Sequence, residues 1–308
     1  MKIGMNIIPE IERIISLGHV FTDVPMGDHT SFKTGGRADC LVVPRNEDEL
    51  IALLTMLSGL EVQYMVIGSG TNLLVRDEGY HGVIIKLGKN LGRINVHERR
   101  IYAQAGAALP EVAVIARDAG LSGLEFSTGI PGSVGGGIYM NAGAFGGEIS
   151  ERIVSARVFL DNKIVTLDHT AMGFGYRHCA IKEYDGVILD AIFELAEGDP
   201  LQIGQTMQDI SQKRRAKQPL DVPSAGSFFK RPEGHFAGKL IQEAGLGGLS
   251  VGGAEVSPMH TGFIVNRGGA TASEIIDLME IVRNTVYECS GVMLEPEVRI
   301  IGEVSSDM

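Results

Sequence analysis

The sequence predicts an α+β protein of two or three domains, organised around a loop that lies on a phosphate-rich ligand. Three observations carry this reading. The chain has 308 residues, more than one typical domain holds. Apolar residues recur at helical spacing in some windows and in short strand-length runs in others. Between residues 129 and 147, eight of nineteen positions are glycine, interleaved with Ile130, Val134, Ile138, Tyr139, Met140 and Phe145. Glycine at that density weakens helices and strands alike, so residues 129–148 are expected to be irregular. Their free N–H groups can converge on an anion. The apolar residues distinguish the run from a polar Gly/Ser linker.

Taken in order, residues 5–18 space Ile7, Ile8, Ile11, Ile14, Ile15 and Leu17 as a helix would. Residues 28–37 are polar and glycine-rich, and 38–43 read as a strand. Asn46 followed by Glu49 resembles a capping box opening a helix to about Ser58. Strands are expected at 64–67 and 83–87, around a loop 68–74. That loop starts like a dinucleotide fingerprint, but Leu73 stands where the third glycine belongs, and it lacks a P-loop lysine. A phosphate-binding turn and an ordinary connection are both open there.

From Ile94 two hairpins are expected, 94–105 about Glu98-Arg99-Arg100 and 153–167 about Asp161-Asn162. A helix from Leu109 to Ala119 begins with Pro110 and stops at Gly120. Residues 186–194 are another strand and 201–217 a helix ending in Lys213-Arg214-Arg215-Ala216-Lys217. This basic end is either a solvated helix terminus or, with Lys230-Arg231 beyond a small-residue turn at 224–227, a diphosphate seat. Helices at 235–244 and 273–290, stopped by Gly245 and Gly291, bracket a strand at 261–266. Residues 295–301 close as a strand with Glu295, Glu297 and Arg299 on one face.

Composition excludes several classes. A net charge of −11 argues against general nucleic-acid binding. The three cysteines, Cys40, Cys179 and Cys289, form neither a zinc spacing nor a disulfide framework, and there is no H-E-x-x-H, so no catalytic metal is expected. The N-terminus is amphipathic and charged, unlike a signal peptide, and no apolar run reaches membrane-spanning length. A soluble, reduced, cytoplasmic protein is expected. Ser133 follows Pro131-Gly132, which departs from a nucleophile elbow. His178 and Cys179 adjoin on an extended segment and point apart, leaving Cys179 a core residue.

Five motifs occur in one order: Gly68-Ser69-Gly70-Thr71-Asn72-Leu73-Leu74, Gly129-Ile130-Pro131-Gly132-Ser133-Val134-Gly135-Gly136, Gly175-Tyr176-Arg177, residues 224–230, and Leu294-Glu295-Pro296-Glu297-Val298-Arg299. Together, over about residues 20–303, they resemble the UDP-N-acetylenolpyruvoylglucosamine reductase family, in its shorter type. The resemblance implies three domains, 1–92, 93–200 and 201–308. The first two would form a vanillyl-alcohol-oxidase-like FAD-binding fold and the third an α+β substrate domain. Return of the final strand to the first domain is left open.

It implies FAD as cofactor and NADPH as co-substrate. The reaction would reduce the enolpyruvyl group of UDP-N-acetylglucosamine enolpyruvate to UDP-N-acetylmuramate, for peptidoglycan and the cell wall. A monomer is expected, without nucleic acid or membrane insertion. Arg177, Ser227 and Glu297 carry over as catalytic. Gly68, Ser69, Gly70, Thr71, Asn72, Leu73, Gly129, Ile130, Pro131, Gly132, Ser133, Gly135, Gly136, Arg214 and Arg299 carry over as FAD contacts. Tyr139, Lys217, Lys230 and Arg231 are substrate candidates. The chemistry fits these types: a guanidinium meets charge developing on a carboxylate, and a serine donates the proton. Glu297 is expected to be protonated in part of the cycle or to orient Arg177. Cys179 departs from an expected serine, and Gly68-Ser69-Gly70-Thr71 varies a more glycine-rich loop. Two rival readings are an FAD-dependent alcohol oxidase and a non-catalytic nucleotide-binding protein.

Overall fold

The computed structural model describes residues 7–304, so the expected helical positions 5 and 6 lie outside it. Helix α1 (Ile7–Ile14) buries Ile7 and Ile11. Strand β1 (Val20–Pro25) follows; it is not foreseen, because Phe21, Thr22 and Asp23 are all exposed and break the alternation. Then come β2 (Arg37–Val42), α2 (Glu47–Gly59), β3 (Tyr64–Ile67), β4 (Leu73–Val75) and β5 (Tyr80–Lys86). One sheet runs β1-β2-β5-β3, antiparallel only at β1–β2. Side-chain alternation sends Cys40, Val42, Val83 and Ile85 into one core and Leu41 and Ile84 into another. Asn46 caps α2, and Leu50, Leu53, Leu54 and Leu57 form its buried stripe. Only half of the expected capping box forms: the Glu49 carboxylate accepts instead from Arg45 N and Ser16 Oγ.

The hairpin β6 (Ile94–His97) and β7 (Arg100–Gln104) leads to α3 (Leu109–Asp118), with Pro110 in its first turn. Next are β8 (Leu121–Ser122), α4 (Val134–Tyr139), β9 (Gly143–Ala144) and β10 (Gly147–Glu148). The second hairpin joins β11 (Ile153–Leu160) to β12 (Lys163–Asp168), with Asp161 and Asn162 at φ +49° and +57°, as a type I′ turn requires. Then β13 (Val187–Glu194) and β14 (Ala196–Glu197) follow. The sheet β12-β11-β13-β7-β6 is antiparallel throughout. Arg157 on β11 holds Glu47 at the start of α2 and Asp190 on β13, tying this sheet to the first.

Helix α4 corrects the sequence reading, since it lies inside the glycine-rich run. Ser133 caps it, its Oγ accepting from Gly136 N at 3.3 Å. The reason is space. A Cβ on Gly135 would stand 3.0 Å from Ala105 Cβ, and one on Gly137 2.8 Å from Leu109 Cδ1. Glycine costs about 1 kcal/mol per helical position, but here it allows α4 to lie against the β7–α3 connection.

The last third comprises α5 (Pro200–Lys217), β15 (Ser224–Ser227), α6 (Ala237–Glu243), β16 (Ser250–Val251), β17 (Ala254–Val256), β18 (Phe263–Asn266), α7 (Ala272–Ser290) and β19 (Arg299–Ile301). Its sheet runs β15-β18-β17-β16, so the expected turn at 224–227 is an edge strand. Helix α7 has a full capping box between Thr271 and Glu274 and ends on Gly291 at φ +71°. Helix α6 and strand β18 each start two residues later than expected. Residues 295–301 are not one strand: Pro296 makes a single bridge to Phe229, and only Arg299–Ile301 is extended in a ladder. That ladder is parallel to β4, Arg299 opposite Leu73, which turns the expected Leu73-Leu74 loop into a strand. Asp77, just beyond β4, accepts from the N–H groups of Ala272 and Ser273 at 2.9 and 2.8 Å, at the positive end of α7.

Candidate active site

A cavity of about 1210 Å³ opens between the three sheets. It exceeds the ~300–1,000 Å³ typical of small-ligand sites and has room for a dinucleotide with a second ligand. Residues 68–73, 129–133, Gly135, Gly136 and Tyr139 line it, as do Arg177, Arg214, Ser227, Glu297 and Arg299. Three substrate candidates do not line it. Lys217 is exposed on the last turn of α5. Lys230 is ion-paired with Glu295. The guanidinium of Arg231 lies 4.1 Å from the Phe236 ring centroid.

The two glycine-rich segments touch: a Cβ on Gly68 would stand 2.0 Å from Ser133 Oγ. In the first, the N–H groups of Ser69, Gly70 and Thr71 have no partner among the described residues. In the second, Ile130 donates to Ser127 O, Val134 to Ala107 O, Gly135 to Ala105 O and Gly137 to Ser133 O. The free N–H groups expected in 129–148 are therefore found in 69–71 instead, whereas the longer run has spent most of its donors on the protein. Ser31 Oγ is buried without a partner on the cavity wall, and its N–H donates to Gly70 O at 3.0 Å. An unpaired buried hydroxyl costs about 1–3 kcal/mol.

Lys33, Arg214 and Arg299 also line the cavity, and none makes an ion pair among the described residues. Burial lowers the pKa of Arg214, whose chain passes where a Cβ of Gly129 would be, 2.5 Å from its Cδ. Free donors, an unpaired hydroxyl and unpaired cations in an acidic chain all fit an anionic ligand such as the diphosphate of FAD. Sequence reasoning missed Ser31 and Lys33; their signal was the polar, glycine-rich segment 28–37, which had no role.

At the other end, Arg177 has φ +54°. Its Nε donates to Glu297 Oε1 at 2.9 Å and its Nη2 to Gly143 O at 3.2 Å. A guanidinium has five N–H donors, so three remain for a ligand. Segments 228–230 and 295–297 run antiparallel: Glu297 N donates to Phe228 O at 2.8 Å and Lys230 N to Glu295 O at 2.8 Å. This sets exposed Ser227 beside Glu297. Asn72 locks the same segment from the first loop, its amide donating to Glu297 O at 3.1 Å. Burial raises the pKa of Glu297, against the opposing pull of Arg177, Lys230 and Lys182. Glu295 points away to Lys230, so it does not share the cavity with Glu297 and Arg299. Cys179 is buried and donates to Met172 O at 3.3 Å, apart from His178, which faces Glu183.

Comparisons agree with this architecture. Residues 38–167 match an FAD binding domain family, and 218–301 match the C-terminal domain family of UDP-N-acetylenolpyruvoylglucosamine reductase. The chain is 48% identical over 299 residues to the UDP-N-acetylenolpyruvoylglucosamine reductase of Clostridium botulinum, covering 97% of both chains. It is 43% identical over 298 residues to that of Caldanaerobacter subterraneus subsp. tengcongensis, covering 96% of this chain and 98% of the relative. The crystal structure of the Thermus caldophilus reductase superposes with a TM-score of 0.79 at 34% identity, over 90% of this chain and 97% of the other.

Proposed function

The chain belongs to the UDP-N-acetylenolpyruvoylglucosamine reductase family, and from that premise we propose how its residues divide the reaction. The reaction is the FAD-dependent, NADPH-driven reduction of the enolpyruvyl group of UDP-N-acetylglucosamine enolpyruvate to UDP-N-acetylmuramate, for peptidoglycan synthesis. Bound FAD supplies the redox chemistry between NADPH and the substrate double bond. The N–H groups of Ser69, Gly70 and Thr71, with Ser31 Oγ and Arg214, would hold its diphosphate. Gly129, Ile130, Pro131, Gly132, Ser133, Gly135 and Gly136 let it approach the backbone.

As electrons reach the terminal carbon of the enolpyruvyl group, negative charge moves to the adjacent carbon and its carboxylate. Arg177 meets that charge with the donors Glu297 and Gly143 leave free. Ser227 gives its proton to the carbanionic carbon. Glu297 orients the guanidinium, and its raised pKa limits repulsion of the substrate carboxylate. Tyr139 and Arg299, whose guanidinium carbon lies 5.0 Å from the Tyr139 ring centroid, form the facing wall. Lys217 adjoins Gln218 on the cavity wall and Lys230 follows the segment of Ser227, so these two side chains and Arg231 would reach the substrate from the rim.

Three domains, 1–92, 93–200 and 201–308, divide the chain in this reading, and the β4–β19 ladder supports return of the last strand to the first. The protein is taken as a cytoplasmic monomer; its three free thiols fit a reducing compartment. Among the described residues no helix is long and apolar enough to cross a membrane.

The meeting of Arg177, Glu297 and Ser227 at one end of a glycine-walled cavity carries this assignment of roles. An anaerobic absorption trace tests it. NADPH should bleach the bound flavin, and UDP-N-acetylglucosamine enolpyruvate should restore the oxidised spectrum. In Ser227→Ala, bleaching should stay fast and recovery slow; equal recovery would remove Ser227 from the proton transfer.

A further inference from the structure

We infer that Lys182 is a positioning residue for the substrate half-reaction: its ammonium group fixes the main chain of Arg177 and the Tyr139–Met140 end of α4, and so aims the Arg177 guanidinium into the cavity. The inference rests on the role given above to Arg177.

Lys182 does not line the cavity and stands behind its catalytic end. Its Nζ donates to Arg177 O at 2.8 Å and to Met140 Sδ at 3.2 Å, and lies 5.0 Å from the Tyr139 ring centroid. Arg177 needs such support. It is a long side chain at φ +54°, a region that costs any residue but glycine and persists only when its surroundings impose it. Gly175 and His178 exchange both backbone hydrogen bonds at 3.1 Å, closing a tight loop with Tyr176 and Arg177 at its tip. No backbone donor reaches Arg177 O, so Lys182 is its partner among the described residues. One ammonium thus joins the loop carrying the guanidinium to the helix carrying Tyr139, and both line the cavity.

Lys182 also contributes to the field at Glu297. Arg177, Lys230 and Lys182 all face that carboxylate and favour its ionised form, while burial opposes it. Around Lys182 itself stand Arg299, Lys230, Cys179 and Glu297; Lys230 is partly neutralised by Glu295. Loss of the Lys182 charge therefore raises the pKa of Glu297.

The test is anaerobic stopped-flow on FAD-loaded Lys182→Met and Lys182→Arg, alongside Arg177→Lys and Glu297→Gln. In Lys182→Met, NADPH should bleach the flavin at an unchanged rate. Reoxidation by UDP-N-acetylglucosamine enolpyruvate should slow about 100-fold, the loss expected when a positioned group moves by roughly 1 Å. The pH limb that vanishes in Glu297→Gln should move to higher pH. Lys182→Arg keeps the charge but not the point donor, so it should restore the pH limb and leave reoxidation slow. Unchanged reoxidation and pH limb in Lys182→Met, with Arg177→Lys impaired, would overturn this inference alone. Unimpaired reoxidation in Arg177→Lys would remove the role of Arg177 and this inference with it. Equal slowing of both half-reactions with a lowered Tm would reduce Lys182 to a structural residue.

Discussion

The two glycine-rich segments pack their glycines alike but spend their N–H donors differently. In residues 68–71, Gly68 lies against Ser133 and Gly70, at φ +65°, against His29 O, yet the N–H groups of Ser69, Gly70 and Thr71 stay unpaired among the described residues. In residues 129–137, glycine brings the backbone close. Helix α4 is pressed on Ala105 and Leu109, and its N–H groups are paired within the protein. Glycine makes up two of four residues in the first segment and five of nine in the second, so the free donors, not the glycines, distinguish them. Glycine count alone therefore locates close packing, and unpaired N–H groups locate the anion. Both segments line the cavity, the first with free donors and the second with a backbone already satisfied by the protein.

The largest expected effect tests the second segment. Gly135→Val would drive side-chain atoms into Ala105, where even a Cβ would be only 3.0 Å from the Ala105 Cβ. Overpacking of this kind costs about 1–3 kcal/mol, so the Tm of the FAD-free protein should fall by several degrees. An unchanged apoprotein Tm would break the comparison. Arg214→Gln should act on the ligand instead. Loss of a charge-assisted contact worth about 1.5–3 kcal/mol weakens FAD binding roughly 10- to 100-fold. The apoprotein should lose little, because Arg214 makes no ion pair among the described residues and only its Nε bond to Gln218 Oε1 at 3.1 Å is at stake. Titration of apoprotein with FAD at two salt concentrations reads this, and an unchanged Kd would remove Arg214 from the site.

Ser31→Ala is a finer probe of the first segment. It removes the unpaired buried hydroxyl, so apoprotein Tm should hold or rise. FAD affinity should fall by about fivefold, one ordinary hydrogen bond of ~1 kcal/mol. A drop in apoprotein Tm would mean that Ser31 serves the fold. The smallest effect is on stability against pH. The folded-state pKa of Glu297 is raised by burial, so its stabilising contribution is full below the ordinary glutamate value and is lost as pH climbs through the raised value. Glu297→Gln should therefore lower apoprotein Tm at acidic pH relative to its Tm at neutral pH, changing the gap in that direction. A gap of unchanged size would mean that Arg177, Lys230 and Lys182 cancel the burial.

Much of this is legible locally. Leu50, Leu53, Leu54 and Leu57 declare α2, Asp161-Asn162 declares its hairpin, and Gly291 stops α7, whose Thr271–Glu274 box is equally local although the expected start is Ser273. In each case the determinant lies within a few residues of its effect. What sequence reading misses depends on distant partners. Nothing near Leu73 announces that it pairs with Arg299, and the glycines of α4 are explained by Ala105 and Leu109. Arg177, Ser227 and Glu297 are found only by family resemblance, since they lie on three separated segments. Lys182 escapes notice because it contacts a carbonyl, and a carbonyl leaves no mark in the side-chain pattern.

The β4–β19 ladder has a consequence in time. The Asn72 amide waits for the carbonyl of Glu297, 225 positions later. At ~5–20 residues per second, a ribosome needs roughly 11–45 s to cover that distance. The first sheet and its donor loop are exposed for that interval, with β4 an unpaired edge, while Glu297 and Arg299 have yet to be made. The edge closes as the Glu297 carboxylate arrives, so a prematurely terminated chain presents the 68–71 loop without Glu297 and Arg299. Pairing of β4 and arrival of Glu297 in the cavity are one event, the docking of β19.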